Sequence, residues 1–213
     1  MRPNNLVDIG KRIKQIVEPN RKEAIMKSLV EAIQPIQKVN IIRDILTEDG
    51  SFPNNGLLPL LLYRQVCLIP DDAETVKELL ETNRWTSTWI DGIYSEHHFH
   101  STAHEVLVAL NGSARVQFGG PNGITLDFEK GDVIIIPAGV AHKKIDETSE
   151  FTCLGAYPEG QEYDIKYGKP EERTIVDENI RKVALPENDP LYGNDGPLIK
   201  NWFSETDQKS EVL

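Results

Sequence analysis

The chain has 213 residues, 39% of them hydrophobic, with 23 basic and 34 acidic side chains and a net charge of −11. That apolar content is enough for a real core, which excludes intrinsic disorder, and two cysteines are too few for a disulfide scaffold. The acidic balance excludes a general electrostatic grip on DNA or RNA, which needs a basic surface.

Residues 6–46 carry apolar side chains at helical spacing: Leu6, Ile9, Ile13 and Ile16, then Ile25, Met26, Leu29, Val30 and Ile33. Two short helices are expected, divided near Pro19 with Asn20 as a cap, and a third over 36–46. Residues 1–46 hold nine basic and five acidic residues and carry +4, leaving −15 for residues 47–213, so this extension is expected to dock on the acidic body of the same or a neighbouring subunit. A partner-binding arm is the alternative. No apolar export signal stands at the N-terminus, and the longest apolar runs, 56–62 and 133–136, fall far short of the ~20 residues that cross a bilayer.

From about residue 56 the pattern changes to short apolar runs separated by Gly, Pro, Asn and Asp, as in an antiparallel β domain. One helix interrupts it at 72–82, with acidic residues early, Val76, Leu79 and Leu80 at helical spacing, and Asp71 or Asp72 as its cap. Eight strands are expected at 87–90, 94–100, 105–110, 114–118, 124–128, 132–136, 142–145 and 151–156, joined by turns such as Asn111-Gly112. After residue 157 the composition predicts an irregular wrap ending at Trp202. The chain thus divides into a helical extension (1–46), a β domain (47–160) and a C-terminal wrap (161–213). Cys67 and Cys153 lie in apolar stretches, where a free thiol is a small hydrophobe, so a reducing, cytoplasmic setting is expected.

Four of the five histidines fall within eight residues, His97, His98, His100 and His104, and the fifth is His142. In a strand, residues two apart share a face, so His98 and His100 converge on one point while His97 and Phe99 turn away. Glu105 opens the next strand, and His142 begins one that lies alongside if the barrel closes. Three imidazoles and a carboxylate form a mixed N/O set suited to Fe(II), Mn(II), Ni(II), Co(II), Cu(II) or Zn(II), and four protein ligands leave an octahedral ion open positions for substrate. His104 reads either as a partner of the metal ligands and proton shuttle or as a solvated loop residue. Lys144 shares the strand parity of His142 and reads either as an inward group for a substrate carboxylate or as a solvated or ion-paired lysine. Tyr63, Arg64, Trp89 and Tyr94 are candidate pocket walls.

These residues resemble the cupin superfamily through two spaced motifs. Gly92, His98, His100, Glu105 and Gly112 match every interval of the first, and Gly131, Pro137, Gly139 and His142 match the second, with Asp146 where the family has Asn. The resemblance covers 92–146 and implies a mainly β double-stranded β-helix. It also implies one divalent transition metal ion per chain, iron, manganese, nickel or zinc, held by His98, His100, Glu105 and His142. By the same analogy a homodimer with a small-molecule ligand is expected, while the acidic charge and short apolar runs leave no membrane or nucleic-acid partner expected. Its activity would be that of a metal-dependent enzyme on a small polar substrate, an Fe(II) dioxygenase first and an isomerase second, with a non-catalytic metal- or small-molecule-binding sensor as the alternative.

Overall fold

Two antiparallel sheets face each other as a jelly roll in the computed structural model, which describes residues 27–210. The strands are β1 (Asn40–Leu46), β2 (Asn55–Arg64), β3 (Trp85–Asp91), β4 (Glu105–Asn111), β5 (Ser113–Phe118), β6 (Ile124–Glu129), β7 (Val133–Ile136), β8 (His142–Glu147) and β9 (Thr152–Pro158). One sheet has the order β1-β2-β7-β4-β9-β3 and the other β6-β5-β8. The mainly β class expected from the sequence is therefore the observed one.

The two sheets differ in burial, and their sequences show it. β5 alternates, with Ala114, Val116 and Phe118 buried inside the barrel and Arg115 outside. β4 and β7 are buried on both faces and read as continuous apolar runs. Leu107, Ala109, Ile134 and Ile136 point between the sheets, whereas Val106, Val108, Val133 and Ile135 point to an outer layer. That layer comprises Val76, Leu79 and Leu80 of the helix Ala73–Thr82, together with Leu191, Leu198 and Trp202 from the C-terminal segment. Asp72 caps the helix through Thr75 N–H at 3.2 Å, as its sequence position predicts.

Three expected elements are corrected. Residues 36–46 are not a helix: a short 3-10 turn, Ile36–Lys38, leads into β1, which pairs with β2 from Asn40↔Arg64. Ile41 packs in the outer layer and Ile42 in the barrel core, so the true period here is two. Residues 94–100 are not a continuous strand. Only His98 and Phe99 make bridges, to His142 and Lys166, and the preceding residues curl around the barrel mouth. The C-terminal segment is not irregular throughout, since it includes helices at Arg173–Lys182 and Pro197–Ser210. Residues 27–31 are helical, and the expected helical positions before residue 27 lie outside the described residues.

Trp202 is fully buried against the outer face of the six-stranded sheet and donates its indole N–H to the Pro59 carbonyl at 2.9 Å. Trp202→Ala removes both the apolar surface and that bond, so it is expected to lower the free energy of unfolding by about 3–5 kcal/mol. Urea denaturation followed by far-UV circular dichroism measures it.

Candidate metal centre

Four chemistry-bearing side chains meet at one end of the barrel, where β4 and β8 begin. Glu105 is the first residue of β4 and lies opposite Ile136, the last of β7; His142 opens β8 opposite Phe118, the last of β5. His98 is joined to His142 by reciprocal backbone bonds, N–H to carbonyl, of 3.1 and 2.9 Å. Two residues on, His100 returns to the same side, while Phe99 between them packs on Phe52. The turn leading into β8 is held from several directions. Asn55 donates to the Ala138 carbonyl, Asn54 accepts the Ala141 N–H, and Gly139 donates to the His100 carbonyl at 2.8 Å. Gly139 has φ of +91° and lies so close to the Asn54 carbonyl that a Cβ would approach its oxygen to 2.5 Å, so glycine is required there.

One ring nitrogen from each of His98, His100 and His142 lies within 4.8 Å of the other two, and all three side chains are buried. Each Nδ1 faces a backbone carbonyl: Glu96 for His98 at 3.1 Å, Val140 for His142 at 3.2 Å, and Asp164 for His100. A carbonyl can only accept, so each Nδ1 carries a hydrogen and Nε2 is the ring nitrogen turned into the shared space, where it has a lone pair whenever the ring is neutral. The Oε2 of Glu105 lies 3.4 Å from Nε2 of both His100 and His142 and has no hydrogen-bond partner.

The electrostatics follow from this crowding. Burial, reinforced by neighbouring His142, pushes His98 down to about 3, so its ring is neutral at physiological pH. Burial lowers His100 too, but the negative charge of Glu105 and the Asp164 carbonyl outweigh it and hold its pKa above the ordinary value. Burial acts to raise Glu105, yet His100 and His142 prevail and keep the carboxyl well below the usual range. A buried carboxylate facing imidazole lone pairs is relieved either by a proton on a ring or by a cation, and a nitrogen and oxygen donor set of this kind suits a divalent transition metal.

Above the cluster lies a cavity of about 240 Å³. Trp89 and Tyr94, two of the candidate walls, line it; Tyr63 and Arg64 do not. The Tyr63 hydroxyl instead donates to Asp189 on the outer layer, and Arg64 pairs with Asp132. His104 is also elsewhere: its Nδ1 accepts the Ala138 N–H at 3.0 Å and its ring lies 4.7 Å from Trp202. Lys144 does not line the cavity, and its ammonium is engaged by Glu147. His97 rests on Phe52, away from the three converging rings.

Two contributors were invisible to motif reasoning. Tyr157 donates its hydroxyl to Glu105 Oε1 at 3.0 Å and accepts the Trp89 indole N–H at 3.1 Å. The signal was strand parity, because Tyr157 lies on the same face of β9 as Cys153, which packs in the barrel core. Asp164 lies in the segment expected to be an irregular wrap. Its carboxylate accepts from the backbone and hydroxyl of Ser101, both at 2.6 Å, while its carbonyl receives His100 Nδ1. No sequence spacing announces that pairing.

The Cupin family model matches residues 91–162. The uncharacterized protein YjlB of Bacillus subtilis (strain 168) is 41% identical over 155 residues, which span 73% of this chain and 92% of that protein. Among solved structures, WlaRA, a TDP-fucose-3,4-ketoisomerase from Campylobacter jejuni, is 16% identical with a TM-score of 0.33 over 39% of this chain and 67% of its own. An acireductone dioxygenase from Bacillus anthracis, with a cadmium ion in its active center, is 12% identical with a TM-score of 0.31 over 42% and 60%.

The wall itself is tightly fitted. The Trp89 indole lies directly over Gly155, where an added Cβ would approach it to 2.2 Å. Gly155→Ala must displace the indole, and overpacking of this kind is expected to destabilise by about 1–3 kcal/mol. Urea denaturation followed by far-UV circular dichroism would measure the loss, and the tryptophan emission spectrum should shift with it; unchanged stability and emission would contradict this packing.

Proposed function

This chain belongs to the cupin superfamily, and on that premise we propose that it is a metal-dependent enzyme acting on a small molecule. Its metal would be held by His98, His100 and His142 through Nε2 and by Glu105 through Oε2. One observation carries the reading. Three buried imidazole nitrogens and a buried carboxylate oxygen without a hydrogen-bond partner converge at the floor of an open cavity. Bound there, the ion would supply Lewis-acid polarisation of a chelating substrate and, if it is iron, access to dioxygen chemistry; dioxygenase activity comes first in this proposal and isomerase activity second.

The chain's own residues perform the positioning. The carbonyls of Glu96, Val140 and Asp164 fix the three ring orientations, so the donors are arranged before any ligand arrives. Tyr157 engages Oε1 of Glu105 and leaves Oε2 as the oxygen facing the rings. Trp89, Ile93, Leu107 and Ile165 line the cavity with apolar surface, which excludes water from a bound substrate.

The test is metal content by plasma mass spectrometry after anaerobic reconstitution with Fe(II), Mn(II), Ni(II) or Zn(II). Wild-type protein is expected to retain about one ion per chain, and His98→Ala and His142→Ala to retain none while remaining folded. Tyr157→Phe should keep the site but bind the ion about 10-fold more weakly, as loss of a partner behind a ligand does. Wild-type protein that retains no ion from any of the four would overturn the proposal. Stoichiometric metal with no turnover of any chelating substrate, with or without oxygen, would favour the sensor alternative.

A further inference from the structure

We propose that the cavity selects a chelating molecule that binds as a monoanion and has a compact, flat or branched apolar body, and that it rejects dianions such as dicarboxylates and phosphate esters. This rests on the metal reading above and concerns what that same site accepts.

The first argument is charge. Among the described residues that line the cavity there is no lysine or arginine; the acidic ones are Glu105 and Asp91. Of the cations on neighbouring segments, Lys144 is engaged by Glu147, Lys166 lies 3.8 Å from Asp164, and Lys143 does not line the cavity. A divalent ion with Glu105 leaves one net positive charge, which a monoanionic chelator cancels. A dianion leaves a buried negative charge without a counterion, beside Asp91 and in a chain of net charge −11.

The second argument is shape and polarity. Ile90, Tyr94 and Tyr163, 55%, 51% and 46% exposed, ring the mouth with one aliphatic and two aromatic side chains. Tyr163 stacks on Tyr157 with ring centroids 4.3 Å apart and an interplanar angle of 14°, giving a flat aromatic wall. The Tyr157 hydroxyl is committed in both directions, to Glu105 and to Trp89, and so offers nothing to a polyhydroxylated ligand. At about 240 Å³ the cavity also lies below the ~300–1,000 Å³ of pockets for drug-sized ligands. A molecule polar at its chelating end fits the aliphatic and aromatic part of this lining.

The experiment uses the full chain loaded with Co(II), whose retention is measured on the same sample, and isothermal titration calorimetry with maltol, oxalate and inorganic phosphate. Maltol is an uncharged hydroxypyranone that chelates as a monoanion. With each affinity divided by that ligand's affinity for aqueous Co(II), maltol is expected to be favoured at least tenfold over oxalate and over phosphate. Ile90→Lys, which adds an ammonium at the mouth, should narrow the gap to oxalate several-fold. Oxalate or phosphate binding as well as maltol to the cobalt-loaded wild type would overturn the selectivity while leaving the metal site standing. Failure to retain cobalt would instead remove the metal site, and this proposal with it.

Discussion

Everything at the barrel mouth depends on one arrangement: a buried carboxylate oxygen, Glu105 Oε2, surrounded by imidazole nitrogens whose hydrogens point the other way. Acceptors facing acceptors in a low-dielectric interior are unfavourable, and folding gains nothing from collecting them. Simple core packing would favour apolar residues at all four positions. The cluster is relieved either by a proton on a ring or by a cation, and around a cation the same lone pairs would share a single positive centre. Carbonyls on three separate segments hold the rings in the orientation that maximises this frustration, so the orientation is imposed rather than found by the side chains themselves.

Such a site must be carried by stability gained elsewhere, and the six-stranded sheet supplies it. Burying both faces of β4 and β7 requires an outer layer, and the helix Ala73–Thr82 and the C-terminal segment provide one. Asp189 anchors that segment. Its carboxylate accepts N–H bonds from Leu191, Tyr192 and Leu198 and the hydroxyl of Tyr63 from β2, so one buried group both caps the turn and ties it to the sheet. Ser101 does similar work nearer the mouth, receiving Asn179 from the helix Arg173–Lys182 while donating to Asp164. The chain beyond the barrel therefore reaches the site through Asp164 and His100 instead of merely covering the surface.

How much of this was legible in the sequence depends on the range of the interaction. The helix Ala73–Thr82 was legible because cap and periodicity are local. So were the hairpin strand β5 and the doubly buried β7, whose patterns reflect one or two faces of burial. That His98, His100, Glu105 and His142 cluster was legible because two histidines of like parity and a following glutamate are a local pattern, and the later histidine follows a Pro-x-Gly turn. β1 was misread because isoleucines three to five apart satisfy a helical period as well as an alternating one, and only pairing with β2 decides. Residues 94–97 were misread as strand because an alternating pattern does not reveal whether a partner lies alongside. Tyr157 and Asp164 were missed for the same reason at longer range, since their roles come from contacts with Glu105 and His100 across more than fifty residues. His104 matched the cluster in sequence but not in space. It directly precedes Glu105, which opens β4 facing the site, and its own ring turns away toward Trp202.

That last contrast shows what the fold must control. Along an extended chain, a slip of one residue exchanges the two faces, so it would turn His98, Glu105 or His142 out of the cluster and put a neighbour in its place. The ligand candidates come from three separate stretches of chain, and no covalent link fixes their relative register. What fixes it is backbone geometry: the reciprocal His98 and His142 bonds, the Gly139 bond to the His100 carbonyl, and the clamp of Asn54 and Asn55 on the turn between them. Gly139 belongs to this set because its backbone lies where any side chain would strike the Asn54 carbonyl. The motif glycine and the motif histidines are thus parts of one constraint, the first setting the register that lets the second converge.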